Sequence, residues 1–222
     1  MPRITVGSQV TGAASGALRD PATNNAFNGV PPPDYITGTH YVPQYFIPDG
    51  STVTTTATRL YYVPIYIWQA RSFSGVITYN QGAGDNGETY RVGLYTHSAT
   101  NGPRSLVLDF GQVTLTAASA VRTLSNAASV PAAAWYWLAL HFNAATAMYG
   151  MESAGAQVTA AGYYPNTPIQ GFFGLVGSGS FGGNTLAVRT RYVDTAYGAL
   201  AATAVAPTND LSSGSPAVAL LP

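Results

Sequence analysis

The residues best suited to contact a ligand or another protein surface are the aromatic side chains of the run AAAWYWLALHF, residues 132–142. If this run is a strand, successive side chains alternate between two faces. One face then carries an ordinary core set, namely Tyr136, Leu138, Leu140 and Phe142. The other face carries Trp135, Trp137 and His141, although a strand in a protein with one core needs only one apolar face. The sequence therefore predicts that something covers the two indoles.

Three covers fit this second face: a returning loop of the same chain, a ligand, or a second copy of the protein. Monomers seldom leave so large an apolar surface in water. A flat strand centre suits a sugar poorly, and a charge-poor surface suits self-association. We expect Trp135 and Trp137 to help form a homo-oligomer interface around a three-fold axis, with His141 at its edge. For His141 itself the expected state is a packed, hydrogen-bonded imidazole.

Other aromatic rings stand in positions suited to sugar binding. Trp68 ends an apolar run, and Tyr163 with Tyr164 lies in the turn-rich stretch AAGYYPNTP. Flat rings match the apolar faces of pyranoses and lose little side-chain entropy on binding. These three residues are candidate ligand-binding residues, while packing in the core or between subunits stays open for each.

The polar residues give weaker indications of a site. Asp85 and Glu88 are the first and last residues of the sequence DNGE. Asp-Asn-Gly is typical of a turn, and binding of a calcium-like ion is the alternative. Two Gly-x-Gly-x-x-Gly patterns, at 82–87 and 177–182, lead into strand-like sequence and are interpreted as hairpin loops, not dinucleotide sites. Arg91 and Asp109 fall in adjacent strand-like segments and are expected to form a structural ion pair. We expect no catalytic residues, no metal and no cofactor.

Composition limits the classes of function. Charged residues make up 8% of the chain against about 25% in an average soluble domain. The nine basic and nine acidic residues balance, which gives no basic stripe for nucleic acid. With no cysteine, disulfides and thiolate chemistry are excluded. The charge-free stretch 123–151 contains Pro131 and Asn126, so we expect no membrane insertion.

The elements that must position these residues are short strands. Runs rich in Val, Ile, Tyr, Phe and Trp are separated by turn residues. The predicted strands are RLYYVPIYIW, SFSGVITYN, ETYRVGLYTH, RSLVLDFGQVTLT, AAAWYWLALHF, IQGFFGLVG, NTLAVRTRYV and SPAVALL. No window of a dozen residues sustains a helical stripe. About eight strands at this spacing predict an all-β fold, an antiparallel β-sandwich of jelly-roll type.

The first forty residues differ from the rest. Residues 1–40 lack a durable period and include GVPPPDY, which favours an extended link. Such a segment cannot build its own core. We interpret 1–40 as an extended N-terminal anchoring arm and 41–222 as the sandwich domain. Residues 1–20 also lack an apolar core of signal-peptide length.

Several motifs recur in a familiar order along the chain. They are R-x-F at 71–73, R-x-G-x-Y at 91–95, P-x-S-L-x-x-D-x-G at 103–111 and Y-W-L-A at 136–139, followed by YGALAATA and SPAVALLP. In this order the chain resembles a β-sandwich module of fibre, spike and minor structural proteins of tailed bacteriophages and prophages. The resemblance covers roughly residues 41–222. The run PAAAW departs from the usual P-x-G turn before Y-W-L-A, and it adds Trp135.

The resemblance implies a non-enzymatic protein of the virion, assembled in the host cytoplasm. Its arm would anchor it to other virion proteins, and its sandwich would attach to a bacterial surface polysaccharide, as a homo-trimer. A purely structural decoration or adaptor protein without receptor binding is the alternative. Nine dispersed acidic residues argue against a polysaccharide-degrading enzyme. The position on head or tail, and the sugar, do not follow from the sequence.

Overall fold

The computed structural model describes residues 46–67, 70–81, 87–98, 102–115, 120–131, 134–153, 190–211 and 215–222. For 46–51, 151–153 and 210 it describes the backbone alone. The described chain forms strands and no helix. The strands are β1 (Phe46–Thr54), β2 (Arg59–Ile67), β3 (Arg71–Phe73), β4 (Gly75–Asn80), β5 (Thr89–His97), β6 (Pro103–Thr114), β7 (Ala120–Leu124), β8 (Ala128–Val130), β9 (Ala134–Phe142), β10 (Ala147–Ser153), β11 (Arg191–Asp194), β12 (Asn209–Asp210), β13 (Ser215–Pro216) and β14 (Val218–Leu221).

The strands pair into two six-stranded sheets, and all pairs are antiparallel. Sheet I contains β1, β10, β4 and β14, with β13 beside β10 and β7 beside β4. Sheet II has the order β12-β11-β2-β9-β5-β6. The short strands β3 and β8 pair with each other. The chain changes sheet repeatedly, for example from β4 to β5 and from β9 to β10, so both sheets are built from residues far apart in sequence.

The main core lies where side chains of the two sheets meet. Sheet I contributes Val76, Met148, Val218 and Leu220 to this cluster. Sheet II contributes Ile65, Tyr90, Leu138, Leu140 and Phe142. Each of these side chains is essentially inaccessible to solvent, and each stabilises the fold by roughly 1.5–3 kcal/mol. Two sheets that share one core are consistent with a β-sandwich.

Sheet II is buried on its second face as well. Residues 195–206, between β11 and β12, run across this face; we call them the strap. Leu200 of the strap packs with Leu60, Tyr62, Tyr95 and Trp137 in a second, smaller apolar cluster. The strap also reaches the edge of β6, where Thr203 forms an antiparallel bridge with Ser105. The central strands β2, β9 and β5 therefore lie between the two-sheet core and the strap.

A bulge in β6 shapes this face. Val92 pairs with Gly111 and Gly93 pairs with Asp109, so Phe110 is an extra residue on β6. Gly111 has φ 114, a backbone conformation that favours glycine. Its N–H donates to a carboxylate oxygen of Asp109 at 2.9 Å. The D-x-G motif thus encodes a β-bulge.

For the described residues the all-β prediction is confirmed, and five of the eight predicted strands coincide with β2, β5, β6, β9 and β13–β14. SFSGVITYN divides into β3 and β4, and the described end of NTLAVRTRYV belongs to β11. The hairpin interpretation of 82–87 is wrong, because β4 belongs to sheet I and β5 to sheet II. IQGFFGLVG and the arm 1–40 lie outside the described residues, and the jelly-roll topology stays a prediction.

Candidate functional site

The region with the most specific chemistry is the strap side of sheet II. Strand register places Pro64 of β2, Trp137 of β9 and Tyr95 of β5 side by side. Because directly paired residues of antiparallel strands project to the same face, these three side chains share the face under the strap. Trp137 is 4% exposed and Tyr95 is fully buried. The three strands thus build an aromatic platform.

Two tyrosines tie this platform to the strap. The hydroxyl of Tyr62 donates to the carbonyl of Val205 at 3.1 Å. The hydroxyl of Tyr95 donates to the carbonyl of Ala201 at 2.8 Å. The two rings meet edge to face at 5.7 Å, a favourable aromatic geometry. Burial raises the pKa of Tyr95 to about 12 and raises that of Tyr62 as well, so both hydroxyls stay protonated donors at neutral pH.

A glycine makes room for the strap between these tyrosines. A Cβ at Gly93 would collide with Cδ1 of Leu200 and would lie 3.1 Å from the carbonyl oxygen of Leu108. Leu200 therefore packs directly on the backbone of β5. Next to it, the guanidinium of Arg91 donates to the carboxylate of Asp109 at 2.8 Å, which confirms the predicted ion pair. The R-x-G-x-Y motif thus supplies an ion pair, a gap and a hydrogen-bond donor on one face.

His141 lies under the beginning of the strap. It is 3% exposed, and its Nε2 lies 3.3 Å from the carbonyl of Thr195. The ring of Tyr197 packs on it at 5.1 Å. Burial lowers the pKa of His141, while hydrogen bonds to the backbone of Thr195 and Gly198 act in the opposite direction. The prediction of a packed, hydrogen-bonded imidazole is confirmed.

His97 lies at the other end of the platform. The indole N–H of Trp137 donates to Nδ1 of His97 at 3.0 Å, and the two rings are nearly parallel, with centroids 5.9 Å apart. Burial lowers the pKa of His97. No role for His97 was predicted from the sequence. The signal that could have located it is strand register, because β5 pairs with β9 and its last residues lie beside Trp137.

Trp135 has a different surrounding. It is 9% exposed, belongs to the two-sheet core cluster and packs against Tyr66 with ring centroids 5.2 Å apart. Trp137 and His141 are covered by the returning segment that the sequence left open as one of three covers. The homo-oligomer interface of these three residues stays a prediction, and a second copy would have to contact the strap to reach Trp137.

The other predicted site residues lie outside the described part of the chain. These are Trp68, Tyr163, Tyr164 and Asp85. Within the described ranges, no group of three His, Asp or Glu residues could hold a metal ion. The large apolar side chains exposed there are Val121 and Val205, at 52% and 38%. Most of the described aromatic rings are buried, and those that are partly exposed are Tyr79, Tyr149, Tyr192 and Tyr197. The sugar-binding prediction falls on the residues named above.

The strap was missed by sequence reasoning, although its letters were part of the resemblance. YGALAATA, residues 197–204, has neither alternation nor charge, so nothing marks it as ordered. Its order comes from backbone contacts with distant strands, such as the N–H of Leu106 donating to the carbonyl of Ala202 at 2.9 Å. A single sequence carries no local signal for such pairings.

Comparison with known proteins places the chain in no family: no family model, no curated protein and no solved structure matches it. In the described ranges no helix is long and apolar enough to span a membrane.

Proposed function

We propose that the chain is a non-enzymatic virion protein of a tailed phage or phage-derived particle, a fibre or spike. The arm 1–40 anchors it to other virion proteins, and the domain 41–222, a β-sandwich of jelly-roll type, assembles as a homo-trimer. The domain presents a surface for attachment to a bacterial glycan. The protein is made in the host cytoplasm and works on the extracellular particle.

One observation supports this proposal above the others. Four of the motifs that carry the resemblance meet in space although they are far apart in sequence, whereas R-x-F lies on β3 and SPAVALLP on β13 and β14 of sheet I. Arg91, Gly93 and Tyr95 lie on β5, between the Asp109 bulge on β6 and the Y-W-L-A run on β9. Gly93, Tyr95 and Trp137 of this group contact the strap that contains YGALAATA. Motifs that pack together in space support a family resemblance more strongly than the same residue types dispersed along the sequence.

The same observation limits what the motifs say about binding. The side chains of these motifs are engaged in packing, hydrogen bonds and an ion pair, so the motifs indicate a structural scaffold. Glycan contact is therefore assigned to Trp68, Tyr163 and Tyr164, of which the two tyrosines belong to the stretch 154–189 between β10 and β11. This stretch is aromatic and nearly free of charge. Sites on loops that a rigid scaffold carries are a general arrangement for recognition.

The test of attachment is binding of the full chain to an array of bacterial surface glycans. The variant Tyr163→Ala/Tyr164→Ala is expected to lose binding with a nearly unchanged melting temperature. Tyr197→Ala, which removes a ring from the strap, is the matched control and should retain binding. Loss of stability in the double variant would make these tyrosines core residues and would contradict the assignment.

The test of the arm is incorporation into particles. Deleting residues 1–30 is expected to leave a folded domain that no longer joins particles. Normal incorporation of the truncated chain would make the anchoring assignment wrong.

The alternative is a structural decoration or adaptor protein without receptor binding. The burial of most aromatic rings in the described residues favours it, because a sugar platform needs exposed rings. Arrays without signal, together with normal incorporation of the full chain into particles, would select this alternative.

A further inference from the structure

The contact between His97 and Trp137 has a property that the proposed function does not use. An indole N–H can only donate a hydrogen bond, so Nδ1 of His97 must be the acceptor in the 3.0 Å bond between them. A neutral imidazole with an accepting Nδ1 carries its proton on Nε2. The bond therefore fixes both the charge and the tautomer of His97.

Protonation of His97 is incompatible with this geometry. The second proton must bind Nδ1, and two N–H donors would then face each other across the 3.0 Å contact. The bond is lost, and the nearly parallel rings have to separate. Burial also lowers the pKa of His97, which keeps the imidazole neutral near pH 7.

The charged residues close to His97 along the neighbouring strands are arginines, and burial is the cause that lowers its pKa. On β6, Arg104 follows Pro103, the residue paired with His97. On β11, a guanidinium nitrogen of Arg191 lies 3.7 Å from where a Cβ of Gly102 would stand, and Oγ of Ser98, the residue after His97, lies 3.8 Å from the same point. On β5 and β2, the phenols of Tyr95 and Tyr62 have raised pKa values and are uncharged. On β9, the side chain that contacts His97 is Trp137, which carries no charge.

Trp137 transmits the consequence to the strap. Its indole is 4% exposed and packs in one cluster with Tyr62, Tyr95 and Leu200. Both tyrosines hold carbonyls of the strap. If the indole moves, Leu200 loses part of its packing, and the strap loses the surface against which it is aligned.

His141 differs from His97 in this respect. It faces Leu60 of β2, Arg91 of β5 with its partner Asp109 on β6, and the Thr195 carbonyl and Tyr197 ring of the strap. A protonated His141 can still donate to the carbonyl of Thr195, so no donor meets a donor there. The conflict is specific to His97.

We propose that His97 and Trp137 form an acid-sensitive latch. Protonation of His97 separates the two rings and loosens the strap from sheet II, while the two-sheet core stays folded. The loosened strap exposes the apolar platform of Tyr62, Tyr95 and Trp137. This inference does not depend on the proposed function.

The test is amide hydrogen exchange of the full chain at about pH 7.5 and about pH 5, on either side of the ordinary imidazole pKa of about 6.5. Two amides report the strap directly: Leu106 donates to Ala202, and Ala204 donates to Arg104. After correction for intrinsic exchange, their protection is expected to fall by about tenfold or more in acid. The amides of Leu138 and Leu140 in β9 should keep theirs.

His97→Asn is the deciding variant, because its amide oxygen can accept from Trp137 and does not titrate. It should retain strap protection at both pH values. His40→Asn and His141→Asn are controls, since they remove the other two histidines of the chain and should keep the acid response. Because His141 itself contacts the strap, the acid response of His141→Asn is measured against its own protection at about pH 7.5.

Two results would overturn the latch: wild-type protein whose strap stays protected in acid, or an acid response that persists in His97→Asn. If His97→Asn fails to fold, Trp137→Phe decides. It removes the donor, so the pKa of His97 measured by NMR should rise towards its ordinary value. An unchanged pKa would refute the latch.

Discussion

The two faces of sheet II are both buried, but they are buried by different means. Towards sheet I, side chains such as Leu138 and Phe142 fill a large apolar cluster, whose polar groups include those of Thr78 and Tyr90, joined by a hydrogen bond of 2.5 Å. Towards the strap, tyrosine hydroxyls, a histidine and an indole N–H all have polar partners. Non-directional apolar packing stabilises the face towards sheet I. On the other face, directional hydrogen bonds position the strap, whose sequence lacks regular alternation.

This difference predicts unequal costs for removing one leucine from each face. Leu138 is fully buried in the two-sheet core, whereas Leu200 is 8% exposed under the strap. Leu138→Ala is expected to lower the free energy of unfolding by about 3–5 kcal/mol, because a closed core leaves a cavity. Leu200→Ala should cost about 2 kcal/mol, since the strap can partly collapse. Urea unfolding of both variants measures the difference, and equal costs would remove the distinction between the faces.

The close approach of the strap to β5 predicts the next effect. Gly93→Ala places a methyl against Cδ1 of Leu200 and near the carbonyl of Leu108, so we expect a cost of about 1–3 kcal/mol. Combining it with Leu200→Ala should relieve the first clash and leave the second. The double variant should therefore be more stable than the sum of the single effects by about 1 kcal/mol. Strict additivity would show that Leu200 does not pack on Gly93.

The two faces also differ in what their tyrosines bind. Tyr95→Phe and Tyr62→Phe each leave a strap carbonyl without its donor, and each should cost about 1 kcal/mol. Tyr90→Phe is the control on the core face, where Thr78 loses its partner. Hydrogen exchange at the Ala204 amide should increase in the first two variants only. An increase in Tyr90→Phe as well would mean that the faces do not act separately.

Alkaline pH acts on the same tyrosines. Burial raises the pKa of Tyr90 and of Tyr95 from 10.0 to about 12 in each case. A raised pKa means that the unfolded chain loses its phenol protons first, so stability is fully present below pH 10 and falls as the pH rises towards about 12. Tyr95→Phe should reduce the slope of this fall in urea unfolding between these pH values. An unchanged slope would mean that Tyr95 titrates like an exposed phenol.

The two faces of sheet II also differ in how far they could be predicted from the sequence. Alternation in AAAWYWLALHF identified β9 and its core face correctly, because side-chain direction in a strand is a local property. The same run indicated that Trp137 needed a cover but could not name it. Residues 195–206 form this cover, and their backbone carbonyls accept the hydrogen bonds that hold them on the sheet. Because every residue has a backbone carbonyl, the sequence does not reveal these bonds. The ion pair of Arg91 and Asp109 was predictable because charges are rare here and both lie on adjacent strands.

The smallest expected effect concerns that ion pair. The side chains of Arg91 and Asp109 are 25% and 23% exposed, so water and salt screen their attraction, and the pair should contribute less than about 1 kcal/mol. Asp109→Asn removes the charge and can keep the oxygen that accepts the N–H of Gly111. Asp109→Ala removes both contacts and should cost about 1 kcal/mol more, because the bulge loses its hydrogen bond.

Asp194→Asn is the matched control, since Asp194 pairs with Arg59 at 2.7 Å but is 57% exposed. Urea unfolding at low and high salt should show a small, salt-dependent loss for Asp109→Asn and a smaller one for Asp194→Asn. If Asp109→Asn costs as much as Asp109→Ala, the charge matters more than the bulge, and the strap face of sheet II is held by electrostatics more than by the hydrogen bonds described above.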